Sequence, residues 1–287
     1  MKKKQILLIA FPVLAGLLVF AWIRMHGTKE APQEHAQESE EESTARPEEI
    51  LAVLSEAMEK RADRVDISEW KVRREDFRKM TFVWYYDPEI FYGKISEYDY
   101  NRETDFVTKV CFEYTCSESE EEERQNRLHN EVNRILEGLE DDWSDYEIAR
   151  YLHDYLVLNT AYDSTESQPD IRNAYGCLVN HCCVCPGYST AYKMLLNECG
   201  IECEVVMSSS MNHAWNVVRL DDKWYFADVT RDDPFPDRQG RVNHGYFLCS
   251  SEKLHETHIA DDYSYFYIPC DDWCTDTRYD SNTIKEI

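Results

Sequence analysis

A hydrophobic run preceded by lysines opens the chain. Residues 6–23 are apolar on every helical face, and Lys2, Lys3 and Lys4 stand directly before them. At about 1.5 Å per residue, a helix of this length spans roughly 27 Å, close to the thickness of the hydrocarbon core of a membrane. The run ends in bulky side chains rather than in the small residues of a cleavage site. We therefore predict an uncleaved signal anchor over residues 1–23, with a cleaved signal peptide as the alternative.

The charges on either side of this run predict its orientation. The lysines precede it and mainly acidic residues follow it. We therefore expect the N-terminus inside and the body of the protein outside the cytoplasm. Residues 24–48 have almost nothing to bury and carry many like charges, which predicts an extended, disordered linker. Folded sequence begins near Pro47, where apolar residues at helical spacing predict a first helix.

Strand patterns follow this first helix. The aromatic-rich segments "MTFVWYYDPEIFYG" (80–93) and "DFVTKVCFEYTC" (105–116) predict two strands. The acidic stretch "SESEEEE" (117–123) predicts a loop that runs into a further helix. We therefore expect residues 49–140 to form an N-terminal α+β region.

Two amphipathic helices are predicted next. In the first, apolar residues recur at helical spacing from Leu128 to Leu139. The second, in "SDYEIARYLHDYLVLNTAYD" (144–163), begins with Ser144 and Glu147 at the spacing of a capping box.

Composition excludes several kinds of partner. The formal net charge is −25, from 31 Lys and Arg against 56 Asp and Glu, and such a surface repels the phosphate backbone of nucleic acids. The nine glycines form no phosphate-binding loop. We therefore expect neither a nucleic-acid partner nor a cofactor.

The stretch "HCCVCPGYSTAYKMLL" (181–196) holds three cysteines within four residues. Pro186 suits the first turn of a helix, which predicts a helix that begins at Cys185. A helix N-terminus favours a thiolate, because its free N–H groups and its dipole stabilise negative charge. Cys182 and Cys183 lie upstream of that position. On this argument alone, Cys185 is either a nucleophile or one buried thiol among eleven.

The segment "MNHAWNVVRLDDKWYFADVTRDDP" (211–234) alternates as a β-hairpin with a two-residue Asp-Asp turn. In that register His213 pairs with Thr230, and Trp215 pairs with Asp228. Both pairs lie on one face of the sheet, because side chains repeat at every second residue. His213 and Asp228 are then diagonal neighbours within reach of a carboxylate–imidazole hydrogen bond.

Cys185, His213 and Asp228 together form a set of nucleophile, base and orienting acid. The histidine would hold the thiolate as an ion pair and later protonate the leaving group. The aspartate would fix the tautomer of the ring. A lone histidine on a strand is more often structural, but three residues in consistent roles favour catalysis.

Three segments resemble the bacterial transglutaminase-like domain, namely "VCPGYSTAYKMLLNECGIECEVV", "HAWNVVRLDDKWYFADVTRDDP" and "GYFLCSSEKLHETH". The resemblance implies a papain-like α+β fold, in which a cysteine at a helix N-terminus packs on an antiparallel sheet. It aligns Cys185 with the nucleophile, His213 with the base and Asp228 with the orienting acid. We assign the catalytic domain to residues 141–260 and a C-terminal extension to residues 261–287.

Two residues depart from the family pattern. Pro186 stands where a polar residue commonly follows the nucleophile, and Arg231 stands where the family often has Trp. We expect neither residue to touch the triad, although both are placed to reshape substrate access.

The family chemistry is attack on a protein or peptide amide to give a thioester. An amine acceptor then gives cross-linking, whereas water gives deamidation or peptide cleavage, and the triad does not separate these outcomes. Proteins of the cell envelope are among the candidate substrates. The alternative is a surface binding or scaffold module that keeps the fold without turnover.

No metal site is expected from the cysteines. Cys182 and Cys183 are adjacent, which fits the paired spacing of structural zinc sites badly, and Cys270 and Cys274 have no second pair. Apart from Cys185, ten cysteines remain. Either up to five disulfides or ten free thiols are compatible with that number.

Overall fold

The computed structural model of the protein describes residues 46–84, 92–168, 170–235, 238, 240–259 and 274–280. The predicted anchor lies outside these residues, as do most of the predicted linker and Cys270. Within the described part of the chain, no helix is long and apolar enough to cross a bilayer. The described residues form a mixed α+β fold that contains two three-stranded antiparallel sheets and one short parallel strand pair.

The N-terminal part of the fold packs two helices on a three-stranded antiparallel sheet, in which the third strand along the chain lies between the first two. Ile50 and Leu54 of the first helix and Phe77 of the second helix share one core with Val110 of the central strand. Burial of these apolar faces is what holds the helices on the sheet. The elements are α1 (Pro47–Glu59), β1 (Arg64–Asp66), α2 (Arg74–Trp84), β2 (Gly93–Tyr100) and β3 (Val107–Tyr114).

The stretch from Met80 to Trp84, predicted as a strand, is the end of helix α2. Its aromatic and β-branched side chains favour a strand, but Phe77, Met80 and Trp84 recur at helical spacing and are 1%, 2% and 6% exposed. The Thr81 hydroxyl donates to the Phe77 carbonyl at 2.7 Å, within the same helix. Burial on a helical face therefore outweighs strand propensity here. The strand predicted over residues 105–116 is confirmed as β3.

Two long helices, α3 (Glu118–Leu136) and α4 (Asp145–Asn159), connect the two parts of the fold. The acidic stretch that was predicted as a loop is in fact the start of α3. Ser117 caps the helix and forms a capping box with Glu120, and acidic side chains in the first turn complement the helix dipole. The capping box predicted from Ser144 and Glu147 is confirmed at the start of α4.

The C-terminal part packs one buried helix against a three-stranded antiparallel sheet whose strands lie side by side in chain order. Tyr188 and Leu195 of that helix share a core with Val218 and Tyr225 of the sheet and with Leu152 of α4. The elements are β4 (Ala161–Tyr162), α5 (Ala174–Leu178), β5 (Cys182–Cys183), α6 (Cys185–Glu198), β6 (Cys203–Ser208), β7 (His213–Leu220), β8 (Lys223–Ala227), α7 (Val229–Asp232) and α8 (Ser251–Leu254).

Two leucines on helix α4 provide a matched test of this core. Leu152 is 0% exposed and Leu158 is 50% exposed. Leu152→Ala should lower the free energy of unfolding by about 2–5 kcal/mol, because it leaves a cavity in the core. Leu158→Ala should change it by less than about 0.5 kcal/mol, because the side chain is half in water. Urea unfolding followed by circular dichroism measures both, and equal effects would contradict this packing.

Candidate functional site

Cys185 is the first residue of the buried helix α6, and Pro186 occupies its first turn. The thiol-bearing side chain is 7% exposed and packs against Val205, Met207 and Ala214 on strands β6 and β7. Its sulfur lies 4.0 Å from the carbonyl oxygen of Asn212, just before β7. The helix N-terminus and the sheet therefore fix the thiol from two sides.

The hairpin of strands β7 and β8 turns at Asp221 and Asp222, as predicted, and Leu220 pairs with Lys223. Both turn residues have positive φ, at 50° and 60°, as a two-residue hairpin turn of type I′ requires. The ladder ends earlier than predicted, at the pair of Asn216 and Ala227.

The predicted pairs of His213 with Thr230 and of Trp215 with Asp228 are therefore wrong. Asp228 instead caps the short helix α7, where its side chain accepts the backbone N–H of Arg231 at 3.0 Å. Local capping by an aspartate competes with the strand ladder at this point.

The side chains of Cys185, His213 and Asp228 nevertheless come together. Nε2 of His213 lies 2.7 Å from Oδ2 of Asp228, and the side chain of Cys185 lies near enough to the same imidazole to raise its pKa. Because Nε2 faces the carboxylate, Nδ1 is the nitrogen that is left to face the thiol. The arrangement has the order of a nucleophile–base–acid triad.

Burial and two neighbours control the pKa of His213. Burial alone lowers the pKa of an imidazole, because it disfavours the charged form. The Asp228 carboxylate and the Cys185 side chain act in the opposite direction and raise the pKa of His213 to about 10. Asp228 is fully buried, which by itself would raise the pKa of its carboxyl. The neighbouring histidines, His213 foremost, instead hold that pKa well below its usual range. A charged ring and a charged carboxylate therefore coexist at neutral pH.

The part of the chain that contains the three site residues matches a known protein family. Residues 132–229 match the family model described as the transglutaminase-like superfamily. The matched stretch contains Cys185, His213 and Asp228.

Residues 132–229 are therefore similar to transglutaminase-like domains.

Solved structures give only distant likenesses. A transglutaminase ("TGase") matches with 14% identity and a TM-score of 0.33, over 49% of this chain and 46% of its own. A candidate cysteine protease from Cytophaga hutchinsonii matches with 13% identity and a TM-score of 0.30, over 50% of this chain and 64% of its own. Menin, in a crystal structure that reveals its binding site for the mixed lineage leukemia protein, matches with 24% identity and a TM-score of 0.29, over 38% of this chain and 26% of its own. The chain thus spans less than two thirds of each of these proteins, and these likenesses assign no activity to it. No curated protein matches the chain.

His258 is a residue that sequence reasoning missed, and it lies outside the matched stretch. Its Nε2 is 2.9 Å from Oδ2 of Asp228, and its Nδ1 is 3.0 Å from the hydroxyl of Thr257. The rings of Trp215 and Tyr246 enclose it, with centroids at 5.0 and 5.3 Å. The carboxylate of Asp228 therefore contacts two imidazoles, those of His213 and His258. No sequence spacing relates His258 to Asp228, because a loop and helix α8 separate them.

The two cysteines just upstream of Cys185 have raised thiol pKa values. Burial raises the pKa of the Cys182 thiol and raises that of Cys183 well above its usual range. The nearby thiol of Cys177 raises the pKa of Cys183 further. A raised pKa leaves little thiolate at neutral pH, so these thiols are poor nucleophiles. Eight of the cysteines that the structure describes are free thiols, namely Cys111, Cys116, Cys177, Cys182, Cys183, Cys185, Cys203 and Cys249.

The two departures from the family pattern differ in their relation to the triad. Pro186 is buried in the first turn of α6. Arg231 was expected not to touch the triad, but its backbone N–H donates to Asp228. The contact uses the main chain alone, so any residue except proline supplies it at this position.

The charged state of His213 can be measured by NMR titration of its imidazole. We expect a midpoint near pH 10 in the wild-type protein and a fall towards about 6.5, the ordinary value for histidine, in Asp228→Asn. The stability that the raised pKa contributes is fully present below about pH 6.5 and is lost as the pH rises through about 10. The matching contribution of Asp228 is present above about pH 3.9 and is lost as the pH falls through its depressed folded pKa.

Asp222→Asn in the hairpin turn is the matched control for this titration, because its side chain is 94% exposed. It should leave the midpoint of His213 unchanged. A wild-type midpoint near 6.5, or an unchanged midpoint in Asp228→Asn, would contradict the ion pair.

Proposed function

We propose that this protein is a thiol enzyme that acts on protein or peptide amides through Cys185, His213 and Asp228, by way of a thioester. The observation that carries this proposal is the 2.7 Å contact between Nε2 of His213 and Asp228, with the Cys185 side chain beside the same ring. A positively charged imidazole beside a thiol at a helix N-terminus favours the thiolate, which is the nucleophilic form.

The first half of the reaction uses each residue once. The sulfur of Cys185 attacks the carbonyl carbon of the amide and forms a tetrahedral oxyanion. His213 then gives its proton to the departing amine, the C–N bond breaks, and a thioester remains on Cys185. Asp228 holds the ring through Nε2 and stabilises its positive charge. The second half transfers the acyl group to an amine or to water, and the now neutral His213 takes the proton of that acceptor.

One donor for the oxyanion follows from the first turn of α6. Pro186 has no N–H, and the N–H groups of Gly187 and Tyr188 already donate to the Val184 carbonyl at 2.8 and 3.2 Å. The backbone N–H of Cys185 is therefore our candidate for the oxyanion donor, in line with the usual role of such groups in acyl transfer.

Two exposed aromatic rings support an apolar preference in the substrate. Burial and the nearby Cys185 raise the pKa of Tyr162, so this ring lies close to the nucleophile. Tyr162 is 36% exposed and Phe235 is 70% exposed, and their ring centroids are 6.1 Å apart. Large exposed aromatic side chains beside a reactive group favour contact with an apolar partner. A peptide that carries a bulky apolar side chain near the reacting amide fits this surface.

Turnover by triad variants tests the enzyme against a silent scaffold. Product formation from glutamine-containing peptides with a primary amine, and from the same peptides in water, is followed by mass spectrometry. Cys185→Ala should abolish turnover, because no other group forms the thioester. His213→Ala should lower kcat by about 10²–10⁴-fold, because it removes the proton donor. Asp228→Asn should retain the fold and lower kcat, because it disturbs the tautomer and the charged ring.

Cys182→Ser is the matched control, because it removes a neighbouring thiol and leaves the triad in place. It should keep the wild-type rate. Equal turnover by wild type and by folded Cys185→Ala would exclude the thiol mechanism. An absence of turnover and of acyl-enzyme formation in the wild type, across all peptide substrates, would favour the binding-module alternative.

We place the catalytic domain outside the cytoplasm, on the basis of the lysine-flanked apolar run at residues 6–23. Protease added to intact cells should then digest residues 46–280, which an antibody against this part of the chain detects. A cytoplasmic marker protein should survive in the same sample. Digestion that occurs only after lysis would contradict this topology.

A further inference from the structure

A second cluster of histidines and carboxylates is built from residues outside the triad. It consists of His153 and Asp154 on helix α4, Asp232 at the end of α7, and His244 in the segment that follows α7. Nδ1 of His153 lies 2.9 Å from Oδ1 of Asp154, and Nε2 of His244 lies 2.7 Å from the same oxygen. The two imidazole rings are 5.4 Å apart between centroids. One carboxylate oxygen thus faces two imidazole nitrogens from separate parts of the chain.

We propose that His153, Asp154 and His244 bind one divalent transition-metal ion of the zinc class. Two imidazole nitrogens and one carboxylate oxygen form a common donor set for such ions, with a fourth position open to water. The three ligand atoms all lie within 4.8 Å of one another, so a single ion can reach all of them.

The distances between the two imidazole nitrogens and the Asp154 oxygen are those of hydrogen bonds rather than of two ligands on one metal ion. Zinc–ligand bonds of about 2.0–2.2 Å put neighbouring ligand atoms of a tetrahedral site roughly 3.3 Å apart. The nitrogens of His153 and His244 are 2.9 and 2.7 Å from the Asp154 oxygen, which suits shared protons. Binding of the ion displaces these protons and widens the two contacts with the Asp154 oxygen by about half an ångström.

Asp232 lies where a carboxylate would hold a metal-binding histidine without itself contacting the ion. Its Oδ2 lies 3.2 Å from Nε2 of His153, the nitrogen that does not face Asp154. The side chain is 1% exposed, and both of its oxygens accept the backbone N–H of Tyr246 at 3.1 Å. Metal-binding histidines usually donate their second N–H to a carboxylate of this kind, which fixes the ring and raises its basicity.

Solvent access distinguishes this cluster from the triad. The side chains of Asp154 and His244 are 28% and 27% exposed, whereas His153 is 0% exposed. An ion can therefore enter from solution and keep a water ligand, while the buried side of the site holds the geometry. The formal net charge of −25 also attracts cations to the surface.

The other His–Asp–His group fits a metal less well. His213, Asp228 and His258 have side chains that are 11%, 0% and 0% exposed. The second ring nitrogen of His258 is engaged by the hydroxyl of Thr257, and the ring of His213 lies beside the thiol of Cys185.

Cobalt titration of the reduced, chelator-treated full chain tests this proposal, because Co²⁺ reports its ligands by absorption. Thiolate ligands give strong charge-transfer bands, whereas nitrogen and oxygen ligands give only weak visible bands. We expect saturation at one Co²⁺ per chain with a nitrogen–oxygen spectrum, and displacement of the Co²⁺ by Zn²⁺. His244→Ala should abolish saturable binding, and Asp232→Asn should weaken it by about 10–100-fold.

His255→Ala is the matched control, because His255 is exposed and lies outside both clusters; it should bind Co²⁺ like the wild type. Circular dichroism verifies that the variants fold, and His244→Asn replaces His244→Ala if the latter does not. No saturable binding to the wild type, a spectrum of thiolate ligands alone, or equal affinity in the folded His244 variant would overturn the metal site. Each readout is metal binding, so the result does not depend on the proposed activity.

Discussion

The ionised carboxylate of Asp228, held away from water, is the interaction on which the candidate site depends. A buried charge without partners would cost several kcal/mol. Three groups compensate it, namely Nε2 of His213 at 2.7 Å, Nε2 of His258 at 2.9 Å and the N–H of Arg231 at 3.0 Å. Because the buried carboxylate needs a positively charged partner, it stabilises the protonated form of His213 and fixes the orientation of its ring.

Packing in the hydrophobic core fixes the position of the Cys185 thiol relative to the His213 ring. Strand β7, which begins at His213, is tied to helix α6 by the side-chain amide of Asn216, which donates to the Ser189 carbonyl at 2.9 Å. Trp215, between these two strand residues, is 0% exposed. The thiol of Cys185 packs on the same sheet. Since a close-packed interior resists small displacements, the position of the thiol relative to the imidazole is fixed by residues that take no part in chemistry.

Local rules were enough to predict much of this site. The Pro186 signal gives the start of helix α6, and the Asp221-Asp222 turn gives the hairpin register, which together bring Cys185 and His213 onto neighbouring elements. The premature end of the ladder at Ala227 was not predicted, because a single aspartate can either extend a strand or cap a helix. His258 and the cluster around Asp154 were not predicted either, because they depend on contacts between segments that no period in the sequence relates. The helix over Met80 to Trp84 was mistaken for a strand because its aromatic and β-branched side chains were given more weight than the helical spacing of Phe77, Met80 and Trp84.

Site-specific labelling of the reactive thiol tests most directly whether Cys185 is the thiolate beside a charged His213. The folded, reduced protein is treated with a limiting amount of an iodoacetamide probe at mildly acidic pH, where ordinary thiols are almost fully protonated. Peptide mapping by mass spectrometry then locates the label. We expect the label to fall on Cys185 and to be strongly reduced in His213→Ala, which lacks the charged ring. Preferential labelling of Cys182 or Cys183, or equal labelling of all accessible cysteines, would contradict it.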